Sequence, residues 1–277
     1  MSNPDILGTK ELVGGIKFPE GLRWHKGKLW FSDMVARKVM TVDLNGKLEI
    51  ITELEDSPSG LGWLPDSKLL IVSMDNKLLL RLDPDGLKTV ADLNSLATYK
   101  CNDMVVDKKG RAYIGNFGFD YENEQFKPAE IILVTPEGNT QVVADELAFP
   151  NGMAITPDDK TLIVAETFGS RLTAFDILDD GLLNGRRVWA NLDSMYPDGI
   201  CLDADRGIWF ASPGSGRVFR VLEGGRITHE VHVSSQAYAC MLGGPERRTL
   251  FVATSTNNRS SGRIEIIKVD IPGVGLP

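Results

Sequence analysis

Cysteine and histidine are both scarce in this chain, at three residues each among 277. Cys101, Cys201 and Cys240 are odd in number, widely spaced, and outside any C-x-x-C pair. That argues against a disulfide framework or a zinc knuckle and leaves buried free thiols in a reducing compartment as the expectation. His25, His229 and His232 fall in polar stretches with no G-x-S-x-G elbow to accompany them, so a Ser-His-Asp hydrolase lacks its signature. Net positive charge is missing too: 30 Lys and Arg face 38 Asp and Glu, a balance of −8. Phosphate backbones are bound through clustered cations, so nucleic acid is not an expected partner. No apolar run approaches the roughly 20 residues that span a bilayer, and MSNPDILGTKEL has no basic patch leading into an apolar stretch. A soluble, cytoplasmic protein without membrane contact is expected, with monomer and homodimer both open.

Helical periodicity is absent as well, and what stands in its place is a repeat. PNGMAITPDDKTLIVAE from Pro150 is the clearest copy; PEGLRWHKGKLWFSD from Pro19, PSGLGWLPDSKLLIVS from Pro58, CNDMVVDKKGRAYIGN from Cys101, PDGICLDADRGIWFAS from Pro197 and YACMLGGPERRTLFVAT from Tyr238 are its relatives. The copies start about 39 to 49 residues apart, the period of four-stranded propeller blades. Each holds two short apolar strands around a polar turn, and two more strands follow in most, such as Lys38 to Asp43 with Lys47 to Thr52. An all-β fold is expected: one six-bladed β-propeller over residues 1–277, with four-stranded antiparallel blades around a central channel. Lys10 to Ile16 would complete the blade formed by the C-terminal strands, including Gly262 to Ile271. No linker rich in Pro or Ser divides the copies, which disfavours two separate β-domains.

The entrance of the innermost strand brings one residue per blade to the axis. Across the copies that column reads Glu20, Ser59, Asn102, Asn151, Asp198 and Ala239. Packed carboxylates repel one another and are costly to desolvate, so a cation is expected between Glu20 and Asp198. The ligands are hard oxygens, which favours Ca²⁺, then Mg²⁺ or Mn²⁺, with Zn²⁺ as a further alternative. Gly21, Gly60, Gly152 and Gly199 follow column residues and suit crowding near an axis. Any one Asn-Gly or Asp-Gly alone would be an ordinary turn former; the coincidence of several carries the reading.

With PEGLRW, CNDMVVD, FPNGMAIT and PDGICLD in this order, the chain resembles the SMP-30/gluconolactonase/luciferin-regenerating family from about Phe18 to Thr254. The resemblance implies a six-bladed propeller whose divalent ion, Ca²⁺-like, is held by Glu20, Asn151 and Asp198. It also implies that Asn102 contacts substrate or the water beside the ion, and that Asp198 is the general base. Several sugar-lactonase members have Arg two residues before the N-D pair, where this chain has Lys100, a point charge without a planar fork.

The expected function is metal-dependent hydrolysis of a small lactone or ester. The ion would polarise the carbonyl and activate water, Asp198 accepting the proton. A phosphotriesterase on the same site and a non-enzymatic binding propeller are the alternatives. Lys100 and Tyr121 are expected to contact substrate. The longest excursion, Phe117 to Pro128, reads either as a lid or as an aromatic cluster. Trp24, Trp30, Trp63 and Trp209 are expected in the packing between blades.

Overall fold

A computed structural model describes residues 5–275. Six four-stranded antiparallel units form a ring, and helix is confined, among the described residues, to a 3₁₀ turn at Thr167–Gly169. The innermost strands are Pro19–His25, Pro58–Trp63, Cys101–Val106, Pro150–Ile155, Ile200–Leu202 and Gln236–Gly243. Each touches the next in cyclic order, and the sixth touches the first. The fold is a six-bladed β-propeller, blade one beginning at Pro19. No described helix is long and apolar enough to cross a membrane.

Local sequence explains the blades. Alternating apolar residues put Phe31, Trp209 and Phe251 fully inside the layers between sheets. Trp24 stacks on Phe251 at 5.3 Å, and Trp30 meets Trp63 at 5.4 Å, so the tryptophans do pack between blades. All three cysteines are free and buried, and burial pushes the Cys101 thiol up to about 12.

Lys10–Ile16 pairs with Gly262–Lys268 and completes blade six, so both chain ends share one sheet. One element was not legible in the repeat: Asp5–Gly8 adds as a fifth strand, parallel to Ile227–His232 at the rim of blade five. Residues 5–16 therefore fasten two neighbouring blades. Arg263 reaches Glu11 across this seam at 3.0 Å.

The glycines after the column mark where neighbouring inner strands nearly touch. A Cβ on Gly60 would lie 2.4 Å from the Met104 nitrogen, and one on Gly152 would lie 2.5 Å from the Ile200 nitrogen. Backbone cannot yield as a flexible side chain can. Gly60→Ala is expected to destabilise the protein by about 1–3 kcal/mol through overpacking, read as a lower urea midpoint at unchanged slope.

Candidate functional site

The channel opens at one face into a cavity of about 550 Å³. Glu20, Asn102, Asn151 and Asp198 all line it, as do Lys100 and Tyr121. The other two column residues stay out of it. The Ser59 carbonyl accepts the Ser32 hydroxyl at 2.7 Å, and blade six presents Tyr238 to the cavity in place of Ala239.

Breaks in strand pairing aim these side chains. Paired positions skip from Glu20 to Arg23 in blade one, from Cys101 to Met104 in blade three, and from Pro150 to Met153 in blade four. Such a bulge bends the strand and redirects its side chains, which takes Asn102 and Asn151 out of the ladder. Asp198 arrives differently, just ahead of the short strand Ile200–Leu202. Its N–H donates to the Ala211 carbonyl at 2.9 Å, and its carbonyl accepts from the Gly152 N–H at 3.2 Å.

Both carboxamides are oriented through nitrogen. Asn102 Nδ2 donates to the Pro150 carbonyl at 3.2 Å, and Asn151 Nδ2 donates to Thr167 Oγ1 at 3.2 Å. The Thr167 hydroxyl in turn donates to the Pro197 carbonyl at 2.8 Å, tying Asn151 to the segment that carries Asp198. Fixing each nitrogen leaves each carboxamide oxygen available.

Charge on the cavity floor is unbalanced. Asp103 is a further carboxylate, buried like Asp198, and Arg23 of blade one reaches it at 2.8 Å. Glu20 receives a hydrogen bond from the Gly21 N–H at 3.2 Å, and Asp198 Oδ1 is buried without a partner. Burial, then the Asp103 charge, pushes the Glu20 carboxyl from 4.5 to about 8. Burial, then Glu20 and Asp103, holds Asp198 well above the usual carboxylate range, only partly offset by a hydrogen bond from Asn151.

With Arg23 set against Asp103, neither Glu20 nor Asp198 has an ion-pair partner among the described residues. No three His, Cys, Asp or Glu side chains cluster as a metal site among those residues, so carboxamide oxygens would have to complete a shell. Two carboxylates, an orphaned oxygen and amide carbonyls match a hard divalent cation.

Lys100 lies 2.5 Å from Asp75 Oδ1, so its charge is already met by an acid. The Phe117 to Pro128 loop is an aromatic cluster that also walls the cavity. Phe117 stacks on Phe149 at 4.3 Å, Phe119 meets Phe168 at 5.7 Å, and the Tyr121 hydroxyl is bound by Arg259. Four residues here escaped the sequence reading: Arg23, Asp103, Thr167 and Arg259. The first two left a signal, as opposite charges inside otherwise apolar inner strands. Arg259 lies in the turn TNNRSSG, outside the repeat.

Comparison with known proteins agrees with this architecture. Residues 18–256 match the family model described as SMP-30/Gluconolactonase/LRE-like region. The 6-deoxy-6-sulfogluconolactonase of Pseudomonas putida is 27% identical over 64% of this chain and 64% of its own. Regucalcin of Xenopus laevis is 25% identical over 86% of this chain and 83% of its own. Among solved structures, the calcium-binding protein regucalcin from Agrobacterium tumefaciens superposes with a TM-score of 0.84 at 22% identity, covering 99% of each chain. The family match spans every blade, and the chain belongs to the SMP-30/gluconolactonase/LRE-like family.

Proposed function

We propose that the cavity hydrolyses a small lactone or ester, with one divalent cation, Ca²⁺ foremost, held by Glu20, Asn151 and Asp198. The observation that carries this reading is the pair of carboxylates lining the cavity, half-buried Glu20 and buried Asp198, neither in an ion pair among the described residues and one Asp198 oxygen buried without a partner. A relative named as a sulfogluconolactonase and another structure titled as a calcium-binding protein support it.

When bound, a divalent cation supplies Lewis-acid polarisation of a carbonyl and lowers the pKa of water. The chain supplies the rest. Asp198, which lines the cavity, takes the proton from the attacking water. Asn102, whose nitrogen is fixed on Pro150, keeps a second N–H for the oxyanion that forms at the carbonyl. Phe117 and Phe149 form an apolar wall that excludes bulk water from the reacting group.

The test is turnover by purified protein on lactones, aryl esters and organophosphates, with and without chelator. Lactone hydrolysis that chelation abolishes and added Ca²⁺ or Mn²⁺ restores is expected. Turnover of organophosphates alone would overturn the assignment. Lys100 and Tyr121, at the wall and away from the carboxylates, are assigned to substrate choice. Lys100→Ala or Tyr121→Ala should change relative kcat/KM between lactones while cation affinity stays near wild type. An equal loss on every substrate would remove that role.

A further inference from the structure

We propose that Arg259 is an anion-recognising residue of the cavity, and that the substrate is a small lactone or ester bearing a carboxylate on the side away from the carbonyl under attack. This rests on the hydrolytic reading above and narrows its substrate class. Two cations line the cavity, Lys100 and Arg259. Lys100 is engaged by Asp75, so an incoming anion would have to displace an acid already in place. Arg259 has no carboxylate within ion-pair distance among the described residues.

The contacts of Arg259 hold it without neutralising it. Its Nη2 donates to the Tyr121 hydroxyl, and its guanidinium carbon lies 4.9 Å from the centroid of the Phe18 ring. Phe18 is itself set by an edge contact with Tyr238 at 4.7 Å. A guanidinium carries five N–H donors in a flat fork that matches a carboxylate, and the single bond to Tyr121 leaves most of them free. Tyr121 belongs to a blade-three loop and Arg259 to a blade-six turn, which are opposite members of a six-membered ring. Their contact therefore crosses the mouth of the channel.

Charge decides where an anionic group can sit. With the cation held by Glu20 and Asp198, the side-chain cations left for an anionic group are those at the wall and mouth of the cavity. There, Asp120 is taken up by its own loop, through the Glu122 N–H at 3.1 Å and Asn123 Nδ2 at 2.9 Å. Against the opposing effect of burial, Tyr121, then Tyr238 and Glu122, strengthen the hold of Arg259 on its proton, and Glu122 forms no ion pair with it. Arg259 acts on Glu20 and Asp198 only through space, without an ion pair, and a hydrogen-bonded carboxylate is its complement.

A matched pair of γ-lactones tests this: 5-oxotetrahydrofuran-2-carboxylate and its uncharged carboxamide, assayed with cation-loaded protein. The wild type should favour the acid in kcat/KM by about tenfold or more, the scale of one hydrogen bond to a charged group. Arg259→Gln should remove most of that preference through KM, and Arg259→Lys should keep part of it as a charge without the fork. A wild-type ratio near one, or a loss in Arg259→Gln equal for both lactones, would overturn the proposal. Should neither lactone be hydrolysed, the hydrolytic reading fails, and calorimetry decides on Arg259. Binding of the acid about tenfold tighter by wild type than by Arg259→Gln supports the assignment; equal affinity overturns it.

Discussion

Asp198→Asn lowers turnover by at least about 100-fold at saturating divalent cation, the low end of what general-base assistance is worth, while cooperative unfolding persists. The carboxamide keeps the size of the side chain and one carbonyl oxygen. It removes the proton acceptor and one of the two carboxyls that have no ion-pair partner among the described residues. Folding tolerates the change because the backbone of residue 198 does the structural work, with its N–H on Ala211 and its carbonyl on Gly152. The lost charge weakens cation binding too, so occupancy has to be measured independently by calorimetry. Near-normal turnover by fully loaded Asp198→Asn protein would place the base elsewhere.

Removing the divalent cation is expected to have the other large effect, on stability as well as turnover. Calorimetry of chelated protein with Ca²⁺, Mg²⁺ or Mn²⁺ should give one site per chain, and a cation at 100 times its Kd stabilises the native state by about 2.7 kcal/mol. The pH dependence carries a sign. Without the cation, Glu20 titrates near 8 in the folded protein against an ordinary 4.5, so the native state binds a proton that the unfolded chain has already released. Its contribution is complete below the unfolded value and is lost as pH rises toward 8. Chelated protein should therefore become less stable from about pH 5 to pH 8, and saturating cation should flatten that slope. Absence of binding by all three cations, or equal slopes with and without them, would count against the site.

The blades were legible because each inner hairpin is a local unit. Strand, polar turn and strand recur within about 17 residues, and neighbouring copies repeat the small residue that lets strands meet. The cavity-lining column was legible for the same reason, since Glu20, Asn102, Asn151 and Asp198 hold equivalent repeat positions. Two kinds of information were not. Asp5–Gly8 has no counterpart in the repeat, and its parallel partner begins at Ile227. Arg259 lines the cavity from a turn outside the repeat, where position along the chain says nothing about which way a side chain faces. Arg23 and Asp103 lie between these cases: their charges stand out in apolar strands, but only the ring brings blade one against blade three.

Residues 5–16 leave the ribosome well ahead of the strands they pair with. Their partners are Ile227–His232 and Gly262–Lys268, and the Glu11–Arg263 pair joins residues 252 positions apart. Blades one to four can form behind them as local meanders while this segment waits with an unpaired edge, open to the wrong strand. Because long-range pairings come only after loop entropy is lost, closure of the ring waits for Gly262–Lys268 to be made. A ribosome stalled before residue 262 would hold a chain with most of its blades made and its circle still open.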